Sequence, residues 1–104
     1  MFMEDKRAYS IHQMINLGFD LSQYNFIRRE GEFEGVLDMK NWGRLKGSLL
    51  GCFTLDNGKK IKAYGWKDKN YYGLDRIPIG SRVRLRFQKN SKNFFILTDV
   101  EKIE

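Results

Sequence analysis

Residues 60–66, KIKAYGW, form the most informative stretch of the chain, because they have the pattern of a β-strand with two different faces. Because side chains on a β-strand alternate between two faces, one face of this stretch carries small or apolar groups suited to a core, namely Ile61, Ala63 and Gly65. The other face carries two cations and two aromatic rings, namely Lys60, Lys62, Tyr64 and Trp66. Cations bind phosphates and flat rings stack on unpaired bases, so this second face suits single-stranded nucleic acid. The alternative is a half-buried strand whose outer rings cover a neighbouring element.

Positive charge is concentrated in the middle of the chain. The 104 residues carry a formal net charge of +6. Residues 40–92 contain 14 basic and 3 acidic residues, whereas residues 1–39 contain 4 basic and 7 acidic ones. A concentrated basic region is typical of proteins that bind a polyanion. A generic solvated surface is the alternative, and charge alone does not separate DNA, RNA and an acidic protein as the partner.

Length and composition predict one cytoplasmic globular domain without catalysis. A chain of this length fits one domain, and no apolar run approaches the ~18–20 residues of a transmembrane helix. The first residues show no signal-peptide pattern, and the lone Cys52 cannot form an internal disulfide. With a single histidine, His12, the composition argues against a metal site. No Ser/His/Asp set, paired-carboxylate cleft or glycine-rich phosphate loop is apparent, so we expect no enzyme activity and no cofactor.

The rest of the chain predicts one helix followed by strands. Apolar spacing predicts an amphipathic helix over residues 5–18, and residues 24–27 are either a short strand or a packing arm. Strands are predicted over residues 33–42, 48–55, 60–66, 82–87 and 94–100. On the first of them, one face carries Gly35, Leu37 and Met39.

The connections between these strands are also predicted. Asp56-Asn57-Gly58 predicts a tight turn that joins the second and third strands into a hairpin. A short helix over residues 71–76, ended by Pro78, separates the third and fourth strands. Glycines inside the first three strands mark the bends that a small closed barrel needs, at Gly35, Gly51 and Gly65.

This order of elements resembles the OB-fold, the oligonucleotide-binding barrel, over about residues 32–102. The likeness rests on Gly35-Val36-Leu37 before a basic-aromatic loop, on the meander through residues 49–66, and on residues 77–85, IPIGSRVRL. The last is similar to the hydrophobic-x-x-Gly-x-x-Val approach to the fourth strand of many OB domains. We therefore expect a mainly β protein, with a five-stranded OB-like barrel in residues 32–104 and an N-terminal helix and arm in residues 1–31. An SH3-type barrel is the structural alternative.

The resemblance implies a binding surface on the outer face of the second and third strands, flanked by two loops. The first loop supplies Trp42, Arg44 and Lys46, the third strand supplies Lys60, Lys62, Tyr64 and Trp66, and the last loop supplies Lys89 and Lys92. Tyr72 in the connector and Arg84 on the fourth strand are further candidates. The second strand departs from the pattern, because its outer face offers only Leu50, Cys52 and Thr54. Either Leu50 packs under a base, or the N-terminal helix covers this part of the face.

Two charged strips flank the predicted surface. The fourth strand carries Arg82, Arg84 and Arg86, which either extend the electrostatic track or form a solvated face. The first strand carries an acidic strip that would repel nucleic acid from one side of the barrel, namely Glu30, Glu32 and Glu34.

These observations predict a non-catalytic protein that binds single-stranded nucleic acid, DNA ahead of RNA, with weak sequence preference. One alternative is a small accessory subunit of a DNA polymerase, primase or helicase. It would dock a replication protein through the apolar N-terminal residues Tyr9, Ile11, Met14, Ile15 and Phe19. The other is an RNA-binding, translation-associated domain. No membrane partner is expected.

Overall fold

The fold is built on one six-stranded sheet, seen in a computed structural model that describes residues 8–42, 48–66 and 71–103. The mainly β class predicted from the sequence is confirmed. The strands are β1 (Asn25–Phe26), β2 (Gly31–Trp42), β3 (Ser48–Leu55), β4 (Lys60–Trp66), β5 (Arg82–Lys89) and β6 (Phe95–Lys102). Their order in the sheet is β1-β4-β3-β2-β5-β6. The helices are α1 (Ile11–Asn16) and α2 (Tyr71–Arg76), with a 3-10 turn at Leu21–Gln23.

The long strand β2 bends the sheet by pairing with two neighbours in succession. Residues 31–36 pair with β5, and residues 35–42 pair with β3, both antiparallel. The hydrogen-bonded ladder of the described residues runs from β1 to β6 and does not return on itself. The sixth strand, β1, lies in the segment predicted as a strand or an arm, and it pairs parallel with β4. A five-stranded closed barrel is therefore not what the hydrogen bonds show.

Local signals predicted most elements closely. The bounds of β3, β4 and α2 agree with those predicted, and the hairpin turn forms at Gly58, whose φ of 89° is one that glycine adopts at no cost. Helix α1 is shorter than predicted because it begins after Ser10, the first residue of a capping box with Gln13. Just before it, the backbone of Tyr9 pairs with Lys40 and Trp42 of β2. No helix within the described ranges is long and apolar enough to cross a membrane.

Apolar side chains form two clusters, one on each face of the sheet. The main core lies on the face covered by α2, where Leu74 packs against the strands together with Leu37, Leu49, Phe53, Ile61, Val83, Leu85 and Phe87. The second cluster lies on the opposite face of β2 and β3. There the N-terminal segment contributes Met14 and Tyr24, which pack against Met39 and Cys52.

The prediction that Met39 shares a face with Leu37 is wrong, because β2 contains a bulge between them. Leu37 pairs with Phe53 and Met39 pairs with Cys52, which leaves Asp38 as the extra residue. A bulge residue shifts the alternation of the strand by one position. Met39 therefore belongs to the second cluster, and Lys40 turns to the inner side, where its ammonium group donates to the carbonyl of Asp75 at the end of α2 at 2.9 Å.

Gly35 lies where β2 pairs with β3 and β5 at once, opposite Leu55 and Val83. A Cβ at this position would lie 2.8 Å from the Leu55 Cα and still closer to the carbonyl oxygen of Thr54. Both are backbone atoms and cannot move aside without separating the strands. We expect Gly35→Ala to lower the free energy of unfolding in urea by about 2–3 kcal/mol. Gly73→Ala is the matched control, because its Cβ would have ordinary contacts at 3.6 Å, and an unchanged stability for both variants would contradict the argument.

Candidate functional site

The outer face of β4 has the alternation that the sequence predicts. Ile61, Ala63 and Gly65 are buried, whereas Lys60 is exposed and Lys62 and Tyr64 are half-buried. These three predicted site residues therefore lie on one side of one strand. The backbone of Trp66 continues β4, and its side chain lies outside the described part of the structure.

Strand β1 adds an aromatic ring to this face. Phe26 pairs with Lys62 in the parallel register, and its ring stacks on that of Tyr64 at a centroid distance of 5.8 Å. The ammonium nitrogen of Lys62 lies 4.8 Å from the centroid of the Phe26 ring. Phe26 is 51% exposed, so the outermost ring of this group is available to a ligand. We call Phe26, Lys62 and Tyr64 the β4 cluster.

A groove of about 780 Å³ separates the β4 cluster from the β5–β6 turn. Its far side carries Phe94, which is 64% exposed, and the half-buried Phe95. Lys89, the last residue of β5, has its ammonium nitrogen 5.9 Å from the centroid of the Phe95 ring, and the exposed Lys92 lies in the turn that follows. We call this groove the aromatic groove. It has aromatic rings on both walls, and near each wall lie lysines that the sequence predicts as site residues.

The β5–β6 turn is held by one asparagine side chain. The amide oxygen of Asn90 accepts from the backbone N–H groups of Lys92 and Phe94, at 3.0 and 2.9 Å. Asn93 adopts a φ of 66°, a left-handed conformation that asparagine tolerates better than most residues. The turn thus presents Phe94 and Lys92 from a defined backbone.

The outer face of β3 is closed, as one of the two predicted alternatives requires. Leu50 and Cys52 are buried, and the N-terminal segment packs over Cys52 through Met14 and Tyr24. The hydroxyl groups of Tyr24 and Thr54 both donate to one carboxylate oxygen of Asp38, at 2.6 and 2.5 Å. This part of the predicted surface therefore does not meet a base.

Burial also determines the chemistry of Cys52. Burial in the second cluster raises the pKa of its thiol to about 12, because the charged thiolate is poorly stabilised away from water. We expect the folded protein at pH 8 to resist alkylation by iodoacetamide and the urea-unfolded protein to react at once. The same shift predicts that stability falls as the pH rises from the ordinary thiol pKa of 9.0 towards 12. Alkylation at equal rates in both states would show that Cys52 is exposed.

The predicted basic and acidic strips lie side by side and pair with each other. Arg84 donates to Glu101 at 2.9 Å and lies 3.5 Å from Glu34, and Arg86 contacts Glu32 at 3.0 Å. In the same ladder Arg82 makes a two-bond contact with Asp56, at 3.0 Å for each bond. Such opposed charges across neighbouring strands support the sheet. The strip around Arg84 is thus an ion-paired ladder, three strands from β4 in the sheet order.

The other predicted residues lie elsewhere or outside the described residues. Trp42 is 56% exposed, but it opposes Leu49 of the main core and so lies on the inner side of its strand end, not beside Tyr64. Arg44 and Lys46 lie outside the described residues, as does the side chain of Tyr72. Lys60 contacts the N-terminal segment, donating to the Gln23 amide oxygen at 2.8 Å.

Sequence reasoning missed Phe26 and Phe94 as site residues. Phe26 lies in a segment whose sequence suits either a strand or an arm, and only its pairing with Lys62 brings it to the site. The sequence predicts Phe94 as the first residue of a strand, whereas it ends the exposed turn before β6. The signal available for both was an aromatic residue next to polar or basic ones.

Comparison with known proteins adds no family assignment. The chain matches no protein-family model, and no curated protein matches it in sequence.

Proposed function

We propose that this protein binds single-stranded nucleic acid, DNA in preference to RNA, in the aromatic groove and without catalysis. The observation that carries the proposal is the exposed ring of Phe26, stacked on Tyr64 and adjacent to the Lys62 ammonium group. Rings that are backed by a second ring offer a firm surface for an unpaired base, and a neighbouring cation suits the adjoining phosphate. Phe94 on the opposite wall provides a second stacking position.

The same proposal includes an OB-like arrangement of the five long strands. What supports it is that β2 bends to pair with both β3 and β5, and that α2 follows β4 and closes one side of the main core through Leu74. In this arrangement the aromatic groove lies between the third long strand and the last turn, which are two parts of the surface that the resemblance implies. Trp66 and Tyr72 are further candidates for stacking on bases. The protein would act in the cytoplasm.

A competition experiment tests this function. A labelled single-stranded DNA of ~20 nucleotides is titrated by fluorescence anisotropy, with unlabelled duplex DNA and RNA of matching sequence as competitors. We expect duplex to compete poorly, because its bases are not available for stacking. We expect RNA to compete less well than DNA, and the reverse order would favour the RNA-binding, translation-associated alternative. Absence of binding at low salt would contradict the proposal.

The lysine of the aromatic groove and the arginines of the β5 ladder are expected to contribute differently to the salt dependence of nucleic-acid binding. Lys62 lines the aromatic groove, whereas Arg84 is not among the described residues that line it and is already paired with Glu34 and Glu101. A cation that is neutralised by carboxylates contributes little to phosphate binding. We expect Lys62→Gln to reduce the slope of log affinity against log salt by about 0.7 and Arg84→Gln to leave it unchanged. Equal reductions would show that charge acts without regard to position.

The accessory-subunit alternative finds support in a smaller feature. Of the apolar N-terminal residues predicted to dock a partner, Met14 is buried in the second cluster, and Tyr9 and Phe19 pack against it. Ile15 and Leu17 remain 64% and 63% exposed. A replication-protein partner would therefore contact Ile15 and Leu17. Replacing both with serine should abolish partner binding and leave nucleic-acid binding intact, whereas deleting residues 1–20 would also uncover Met39 and Cys52.

A further inference from the structure

A second groove lies on the other side of β1 and has a different character. It measures about 930 Å³ and is enclosed by the segment after β1, the β3–β4 turn and the outer side of β4. Five cations line it, namely Arg28, Arg29, Lys59, Lys60 and Lys62. Among the described residues that line it there is no carboxylate. We call it the basic groove.

The cations of the basic groove come from separate elements and converge on one concavity. Arg28 and Arg29 follow β1, Lys59 lies in the β3–β4 turn, and Lys62 is on β4. Charges of one sign around a concave surface reinforce one another and attract an anion more strongly than the same charges on a flat surface. The arginines of the β5 ladder attract an anion less strongly, because each of them is paired with a carboxylate.

Arg29 is held in a way that suits phosphate. Its guanidinium carbon lies 5.1 Å from the centroid of the Phe33 ring, so one face of the cation is packed on an aromatic surface. A guanidinium group stacked in this way still has N–H donors along its edge, and these match the oxygens of a phosphate. Lys59 is exposed on the opposite wall.

The two grooves meet at residues that they share. Phe26, Arg28 and Lys62 line both of them, and the exposed ring of Phe26 stands between the two. A flexible strand that stacks a base on Phe26 in the aromatic groove therefore has a continuous path into the basic groove.

We propose that the basic groove binds the backbone phosphates of the same single strand, so that the nucleic acid passes from the aromatic groove over Phe26 to Arg29 and Lys59. This inference rests on the proposed function and extends it to a second segment of the binding path. The first segment binds mainly bases by stacking, and the second binds mainly phosphates. Affinity should therefore depend on the length of the strand.

The test compares two strand lengths and two charge-matched variants. Labelled oligothymidylates of ~6 and ~20 nucleotides are titrated against the full chain, since the shorter one can occupy one groove and the longer one both. The test variant is Arg29→Gln with Lys59→Gln. The control is Arg76→Gln with Arg86→Gln, which removes the same charge from exposed positions on α2 and β5. Thermal melting checks that each variant is folded.

We expect the test variant to bind the longer strand about tenfold more weakly at low salt, with a salt slope reduced by about 1.4, the value for two phosphates. Its affinity for the shorter strand should stay within twofold of the wild type. The control variant should bind both strands with nearly wild-type affinity. Equal weakening for both lengths, or none for either, would overturn the assignment of the basic groove while leaving the aromatic groove in place.

Two other outcomes would also overturn it. Absence of wild-type binding to both oligonucleotides would overturn the proposed function, and the basic groove with it. Free ATP serves as a probe for a mononucleotide site. Saturable ATP binding that the test variant abolishes, with unchanged affinity for the longer strand, would show that the basic groove takes a free nucleotide instead.

Discussion

Replacing Phe26 and Tyr64 together with alanine is expected to weaken the binding of single-stranded DNA about 30-fold. The two rings are stacked on each other and form one wall of the aromatic groove. Stacking of a base on an aromatic side chain contributes about 1–3 kcal/mol, and a loss of ~2 kcal/mol at Phe26, the ring that Tyr64 supports from behind, corresponds to about 30-fold. Fluorescence anisotropy with a labelled strand of ~20 nucleotides measures the change.

A ring-preserving swap provides the control for this experiment. Phe26→Tyr with Tyr64→Phe keeps both rings and moves only the hydroxyl group, so we expect affinity close to that of the wild type. Because Phe26 is 51% exposed, its truncation should disturb the fold little, which circular dichroism verifies. Unchanged affinity of the double-alanine variant would mean that the aromatic groove is not where the bases bind.

Met14→Ala is expected to lower the free energy of unfolding by about 2–4 kcal/mol, whereas Ile15→Ala should change it by less than ~0.5 kcal/mol. The two residues are neighbours on α1 and similar in size. Met14 is 2% exposed in the second cluster, and Ile15 is 64% exposed. Truncating a buried side chain leaves a cavity against Met39 and Cys52, whereas truncating an exposed one leaves none. Urea denaturation followed by circular dichroism measures both.

This pair of variants separates two roles of the N-terminal segment. If it covers the outer face of β3 in solution, stability depends on Met14 and not on Ile15. Equal and small effects would indicate that the segment is detached and that the face of Cys52 is open, which would restore the predicted binding surface on β3. Alkylation of Cys52 in the Met14→Ala variant gives an independent readout, since a loosened segment exposes the thiol.

Elements whose signals are local were predicted well from the sequence. The alternation of residues 60–66, the tight turn at Gly58 and the short helix at residues 71–76 each follow from a few adjacent residues. The placement of Lys62 and Tyr64 on one face needed nothing more than the two-residue period of a strand.

Features that depend on distant contacts were not predictable in the same way. The bulge at Asp38 places Met39 on the face of the sheet opposite to the predicted one. No sequence pattern near Asp38 predicts this bulge. The pairing of Phe26 with Lys62 joins positions 36 residues apart. Because of it, the candidate surface is formed by β1 and β4, whereas the sequence predicts one formed by β3 and β4. The ladder of Arg84 and Glu34 likewise appears only once the register of β2 and β5 is known.

The outcome for the candidate site follows from the same distinction. Sequence patterns placed Lys62 and Tyr64 on one strand and Lys92 in the last turn, and the structure places these two elements at the aromatic groove. They placed the neighbouring surface on β3, where packing by the N-terminal segment closes it. Burial of a face by a remote segment is a property of the whole fold, so a pattern of outward residues alone does not determine whether they meet solvent.

The measurement that tests the central claim most directly is amide chemical-shift mapping by NMR, with an unlabelled oligothymidylate of ~6 nucleotides added to the isotope-labelled protein. We expect the shifts to concentrate on residues 26–28, 62–64 and 93–97, which line the two walls of the aromatic groove. Shifts concentrated on the ladder of Arg82, Arg84 and Arg86, or on Ile15 and Leu17, with none in the groove, would contradict it.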